Sequence, residues 1–139
     1  MEKTRVTFPD PNLEGVIRKT IGKPKGAIST SDLEHLTVLN APDRGISDLT
    51  GLEYCLNLKW LNLSANNISD ISPLAGLSNL VYLDFWDNNI RDISVLANLT
   101  NLVELDLGGN NVSDFSVLPF EFDQDGAFIY RIGKLNTIG

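Results

Sequence analysis

Four aspartates, Asp48, Asp70, Asp92 and Asp114, recur every 22 residues, and paired carboxylates are where acid–base or metal chemistry would be sought first. General acid–base work needs two carboxylates whose surroundings hold their pKa values apart, and an evenly repeated residue in repeated surroundings offers no such asymmetry. Each aspartate also precedes a short apolar segment. A carboxylate so placed is expected to accept backbone N–H bonds at the start of a turn. Glu121-Phe122-Asp123-Gln124-Asp125-Gly126 has the opening of a calcium loop, but Ile132 stands at the twelfth position where a bidentate acid is required. The single histidine, His35, has no Cys, Ser or acid pattern around it to suggest a triad or a zinc site. The single cysteine, Cys55, lies in an apolar column and is expected to be a small buried residue. No catalytic residue, metal ligand or cofactor-binding residue is therefore expected, and the chain does not read as an enzyme.

The elements that position every other candidate come from one 22-residue phrase repeated over Leu58 to Leu118. Aligned on Leu58, Leu80 and Leu102, the copies read LKWLNLSANNISDISPLAGLSN, LVYLDFWDNNIRDISVLANLTN and LVELDLGGNNVSDFSVLPFEFD. The columns Leu61/Leu83/Leu105, Leu63/Phe85/Leu107 and Ile68/Ile90/Val112 are apolar, and Asn66/Asn88/Asn110 run between them. This L-x-x-L-x-L-x-x-N-x-I spacing is the leucine-rich-repeat pattern. Side chains alternate across a short strand, so the leucines face inward and the residues between them face out. One turn of such a coil buries its apolar face only against the next, so the phrase must recur and its ends need caps. Asn suits the turn after the strand because its amide can bond the backbone groups that leave the sheet.

Residues that repeat are core; residues at outward positions that vary are the candidates for binding. The three outward columns are Val38, Trp60, Tyr82, Glu104 and Gly126; Asn40, Asn62, Asp84, Asp106 and Phe128; and Pro42, Ser64, Trp86, Gly108 and Tyr130. Both tryptophans of the chain fall on this face beside Tyr82. Adjacent turns lie about 4.8 Å apart, so Trp60, Tyr82 and Trp86 are expected to touch or nearly touch. Exposed aromatic patches rimmed by polar groups bind partners, and Trp and Tyr dominate such interfaces. The expected partner-binding set is Trp60, Asn62, Tyr82, Asp84, Trp86, Glu104, Asp106, Phe128 and Tyr130. Cross-strand packing that only stabilises the sheet is the competing explanation. Sugar binding by Trp60, Tyr82 and Trp86, with Asn62, Asp84, Asp87 and Asp106 bonding hydroxyls, is the alternative function.

Upstream, Asp10 and Pro11 can start a helix that runs to about Thr20, carries Leu13, Val16, Ile17 and Ile21 in one apolar stripe, and stops at Gly22 and Pro24. Ser31 and Glu34 have capping-box spacing for a second short helix carrying Leu33 and Leu36 inward. Leu36, Leu39, Ala41, Ile46, Leu49 and Leu52 continue the columns as a degenerate first repeat, with Arg44 in the asparagine position and Pro42 in the strand slot. Phe8-Pro9-Asp10 with Leu13 and Ile17-Arg18, then Ile21-Gly22-Lys23, Ser31-Asp32-Leu33, Leu36-Thr37-Val38-Leu39-Asn40-Ala41, Gly45-Ile46 and Leu52-Glu53-Tyr54 resembles the helical amino-terminal cap and first repeat of internalin-type proteins. The resemblance covers roughly residues 6 to 118. It implies a curved α/β solenoid, a right-handed leucine-rich-repeat coil with a parallel concave sheet and 3₁₀ or irregular convex turns. It also implies a surface or secreted bacterial protein that binds a protein partner.

One domain is expected over 1–139, with a helical cap over 1–35, four repeats over 36–118 and a carboxy-terminal cap over 119–139. In that last segment Ala127 and Ile129 would face inward on a closing strand; a hairpin about Asp123-Gln124-Asp125-Gly126 is the rival. The immunoglobulin-like module that usually follows internalin repeats is not found. A net charge of −7 with only 11 scattered Lys and Arg argues against nucleic acid and favours basic or neutral partners. No apolar run reaches the roughly 20 residues that span a bilayer, and no leader-type apolar stretch follows Met1–Arg5. A monomer is expected, extracellular or surface-held by the resemblance, with the cytoplasm as the alternative.

Overall fold

The computed structural model describes residues 4–118 and the backbone of Ile129–Tyr130. The chain begins with β1 (Arg5–Val6), α1 (Pro11–Ile21), β2 (Ile28–Ser29) and the one-turn helix α2 (Thr30–Leu33). As the sequence requires, Asp10 caps α1: its Oδ1 accepts the N–H of Asn12 at 2.9 Å and of Leu13 at 3.4 Å. Leu13, Val16 and Ile17 are buried, and Gly22 ends the helix at a φ of 71°, the left-handed conformation that glycine adopts without strain.

The second helix starts earlier than its spacing suggests. Ser29, not Ser31, is the capping residue, and its N–H and hydroxyl donate to Asp32 Oδ2 at 2.8 and 3.1 Å. The reason is tertiary. Antiparallel pairing of β2 with β1, Arg5 against Ser29 and Val6 against Ile28, holds Ser29 extended, as a capping residue must be. Asp32 also accepts from Lys23 Nζ at 3.0 Å.

Four parallel strands follow at intervals of one repeat, β3 (Val38–Asn40), β4 (Trp60–Asn62), β5 (Tyr82–Asp84) and β6 (Glu104–Asp106). Their register matches the repeat residue for residue: Val38, Trp60, Tyr82 and Glu104 are neighbours, as are Asn40, Asn62, Asp84 and Asp106. Three 3₁₀ turns, Leu52–Tyr54, Ser72–Leu74 and Ser94–Asn98, form the opposite side of the coil. The parallel order ends at β6. Ile129–Tyr130, here β7, runs antiparallel, with Tyr130 opposite Leu105 and Ile129 opposite Asp106, so Tyr130 does not continue the column of Gly108. An antiparallel neighbour needs no further copy of the phrase. Residues 119–128, on which the closing-strand and hairpin readings both rest, lie outside the described residues.

The core is one continuous stack of leucines and isoleucines from Val6 in the cap to Leu118. Within it the asparagines form a ladder. Asn66 Oδ1 accepts the N–H groups of Arg44 and Ile46 at 3.0 and 2.9 Å, Asn88 Oδ1 accepts that of Ile68 at 3.0 Å, and Asn110 Oδ1 that of Ile90 at 3.0 Å. Their amides donate to carbonyls of their own turn and of the preceding one. The first repeat has Arg44 in this column. Asp10 supports that turn instead, because its Oδ2 accepts the N–H groups of Ser47 and Asp48 at 2.7 and 3.0 Å.

After each strand the chain turns off the sheet through a residue with positive φ: Asp43 at 54°, Ala65 at 56°, Asp87 at 60° and Gly109 at 70°. At Gly109 the space is taken as well, since a Cβ would stand 3.1 Å from the backbone N and Cα of Asp87 in the preceding turn. Gly109→Ala is expected to cost about 2 kcal/mol, combining left-handed strain with that close approach. A urea midpoint unchanged from wild type would show that the turns can separate there.

Candidate functional site

The concave face is built by the outward residues of β3 to β6, which the leucines of the same strands hold in place. At its centre Trp60 and Tyr82 stack, ring centroids 4.7 Å apart and planes 10° from parallel. Parallel register puts their Cα atoms opposite one another, and flat rings fill the strand spacing. The expected three-ring cluster is a two-ring stack. Trp86 lies beyond the end of β5 and stands outside it, 50% exposed. Val38, also 50% exposed, is the strand partner of Trp60 and extends the apolar strip. The outward-column pattern contained Val38, but its modest size gave no reason to single it out.

Beside this strip the second column is polar and ordered. Asn62 Nδ2 donates to Asn40 Oδ1 at 3.1 Å, and Asn62 Oδ1 accepts the N–H of Ser64 at 3.0 Å. Asp84 Oδ1 accepts the N–H of Trp86 at 2.9 Å, and its Oδ2 accepts the Tyr82 hydroxyl at 3.3 Å. Asp84 thus ties the stack to Trp86. Asp106 Oδ1 accepts the N–H of Gly108 at 2.9 Å. Partial burial raises the Asp106 pKa, the Gly108 N–H opposes that, and the nearby negative charge of Asp84 adds to it. Tyr82 is pushed up to about 12 by burial and then by Asp84, Glu104 and Asp106, so its hydroxyl remains a proton donor.

The other candidates take structural places. In the aspartate column Asp48, Asp70, Asp92 and Asp114 each accept the N–H of the residue two positions on, at 2.9 Å, as the turn reading requires. Cys55 is buried, and burial followed by the charge of Glu53 pushes its thiol up to about 12. His35 is exposed. Among the described residues no group of three or more His, Cys, Asp or Glu could hold a metal, and no helix is long and apolar enough to cross a membrane. Phe128 lies outside the described residues, as do the side chain of Tyr130 and the Glu121–Gly126 segment.

Known proteins share this fold. A family model described as leucine-rich repeats in two copies matches residues 56–97 and 78–119. The crystal structure of an internalin (inlF) from Listeria monocytogenes is 42% identical and aligns with a TM-score of 0.77 over 79% of this chain and 33% of that one. The repeats and the fold of this chain are of the internalin type. A second internalin of the same organism, internalin C2, is 29% identical with a TM-score of 0.79, covering 84% of this chain and 53% of that one. The functional domain of InlJ, also from Listeria monocytogenes, shares the fold at 23% identity and a TM-score of 0.59, over 97% of this chain and 35% of that one. This internalin-type chain therefore spans about a third to a half of the length of these internalins. No curated protein matches its sequence. An internalin-type repeat scaffold is in general a protein-interaction module, and the aromatic strip lies on its concave sheet.

Proposed function

We propose that this chain is a non-enzymatic recognition module, a monomer that captures a partner protein through its concave sheet as part of a bacterial surface or secreted protein. The observation that carries the reading is the placement of Val38, Trp60, Tyr82 and Trp86 on one face, Val38 and Trp86 half-exposed and the stacked Trp60 and Tyr82 partly buried, beside carboxylates that are hydrogen-bonded into fixed positions. Large aromatic groups held rigid by their neighbours lose little entropy on binding, which is why they anchor interfaces. The binding set is Trp60, Asn62, Tyr82, Asp84, Trp86, Glu104 and Asp106, with Phe128 and Tyr130 at the carboxy-terminal side. The whole of 1–139 acts as one unit, cap 1–35, repeats 36–118 and closing segment 119–139.

Because Trp60 is stacked, truncating it removes about 1 kcal/mol of ring–ring stabilisation as well as contact surface. Trp86→Ala removes surface alone and is the cleaner variant. Partner capture by an immobilised chain is expected to fall at least tenfold for Trp86→Ala and to be abolished for Trp60→Ala with Trp86→Ala, while the Trp86→Ala thermal midpoint stays within a degree or two. Undiminished capture by the double variant would sink the reading. Sugar binding is the second reading, resting on the Tyr82 hydroxyl and Asp84 beside an aromatic face. Saturable, tryptophan-dependent binding on a glycan array would favour it over a protein partner.

A further inference from the structure

The chemistry of the partner's contact follows from where charge sits on the molecule. Residues 36–118 hold ten Asp and Glu against three Lys and Arg, so a net charge equal to the chain's whole −7 resides in the repeats. None of the three basic residues, Arg44, Lys59 and Arg91, occupies an outward column of β3–β6. On the β5–β6 side, Asp84 and Asp106 are strand partners, about 4.8 Å apart by sheet geometry, with Tyr82 and Trp86 on either side of Asp84 along the chain.

The two carboxylates are unequally satisfied. Asp84 uses both oxygens, one on the Trp86 N–H and one on the Tyr82 hydroxyl. Asp106 uses Oδ1 on the Gly108 N–H, and among the described residues its Oδ2 accepts no hydrogen bond although the residue is partly buried. A partly desolvated carboxylate beside a second one is an unfavourable arrangement in the isolated chain, and a cation placed against both would relieve it.

Resting on the recognition reading above, we infer that the β5–β6 end of the concave face receives an arginine side chain from an extended, basic segment of the partner, its guanidinium bridging Asp106 and Asp84 and lying against the aromatic surface of Tyr82 and Trp86. A planar guanidinium presents several N–H donors in one fork and stacks on aromatic rings, which suits two carboxylates on neighbouring strands flanked by Tyr and Trp. An ammonium offers a single charge point and no stacking plane. A duplex or anionic lipid surface is disfavoured by the same carboxylates.

The test uses the full chain and two acetylated, amidated peptides, Gly-Ser-Arg-Ser-Arg-Ser-Gly and its lysine counterpart, titrated by tryptophan fluorescence at low salt. The arginine peptide is expected to bind saturably, several-fold tighter than the lysine peptide. Asp84→Asn with Asp106→Asn is expected to weaken it at least tenfold. Asp70→Asn with Asp92→Asn removes the same charge from the opposite side of the coil and is expected to leave binding within twofold. Asparagine keeps the acceptor oxygen at all four positions, so each variant should fold. The thermal midpoint of Asp106→Asn is expected to equal or exceed that of wild type, which separates lost binding from lost structure. Equal binding of the two peptides, or equal loss in the two double variants, overturns the inference by reducing it to general attraction. If neither peptide binds while partner capture still depends on Trp86, the inference fails and the recognition reading stands. If capture is also independent of Trp60 and Trp86, both fail.

Discussion

Asn88→Ala should lower the free energy of unfolding by about 3 kcal/mol or more, the largest single-residue effect expected outside the leucine core. Asn88 is only 5% exposed, and its Oδ1 is the acceptor for the Ile68 N–H at 3.0 Å. Alanine leaves that buried N–H without a partner, at a cost of roughly 1–3 kcal/mol, and removes donations to Leu63 O and Phe85 O worth about 1 kcal/mol each. Those carbonyls keep their second donors, Asn66 for Leu63 and Asn110 for Phe85. The orphaned N–H therefore dominates. Asn88→Asp tests the assignment further: a carboxylate can still accept from Ile68 but has nothing to donate and brings its charge against two carbonyl oxygens. It should be about as damaging as alanine. Asn110→Ala, at a half-buried position, should cost less. Urea unfolding measures all three, and a loss below about 1 kcal/mol for Asn88→Ala would mean that water replaces the ladder without penalty.

The second large effect is at Asp10, which joins the cap to the first turn. Its Oδ1 serves the start of α1 and its Oδ2 serves Ser47 and Asp48, so four backbone N–H groups depend on one carboxylate. Asp10→Ala should cost about 3 kcal/mol. Asp10→Asn, with one acceptor oxygen instead of two, can serve only one side and should cost about half that. Burial raises the pKa of Asp10, but the bonds from Ser47, Asp48, Asn12 and Leu13 outweigh it and hold it below its ordinary value of 3.8. The sign follows: a carboxylate with a depressed folded-state pKa contributes stability that is complete above its unfolded pKa and is lost as pH falls through the folded one. Wild-type stability should decline below about pH 4. Asp32, held at about 2, and Asp70, Asp92 and Asp114, also held low by N–H or hydroxyl donors, act in the same direction. Asp10→Asn should flatten this decline without abolishing it. Urea midpoints at pH 7 and pH 3 decide the matter, and an unchanged difference between the two pH values would remove Asp10 from the acid response.

How much of this was legible beforehand depended on whether the cause was local or repeated. The strand register, the inward leucines, the asparagine ladder and the aspartate turns all follow from a period of 22, because each turn must present its neighbour with the same apolar face and the same unpaired backbone groups. Helix α1 was readable because Asp10, Pro11 and Gly22 act within a few residues of themselves. The start of α2 was not: Ser29 and Ser31 both have a suitable acid three residues on, and pairing with β1 chooses between them. The second duty of Asp10 also lay hidden, since Ser47 is 37 residues away and only the docked cap brings its N–H into reach.

The concave face divides the same way. Alternation along each strand determined that Trp60, Tyr82, Asp84, Glu104 and Asp106 point outward together, and the period determined which of them are neighbours. Folding decided what they do to one another: Trp60 and Tyr82 stack, Trp86 stays apart, and Asp106 is left partly buried beside Asp84 with one oxygen unused among the described residues. Side-chain direction is a property of the backbone pattern and is written in the chain. Ring contact, desolvation and the sharing of donors depend on distances across turns, and those exist only once the coil has closed on its cap.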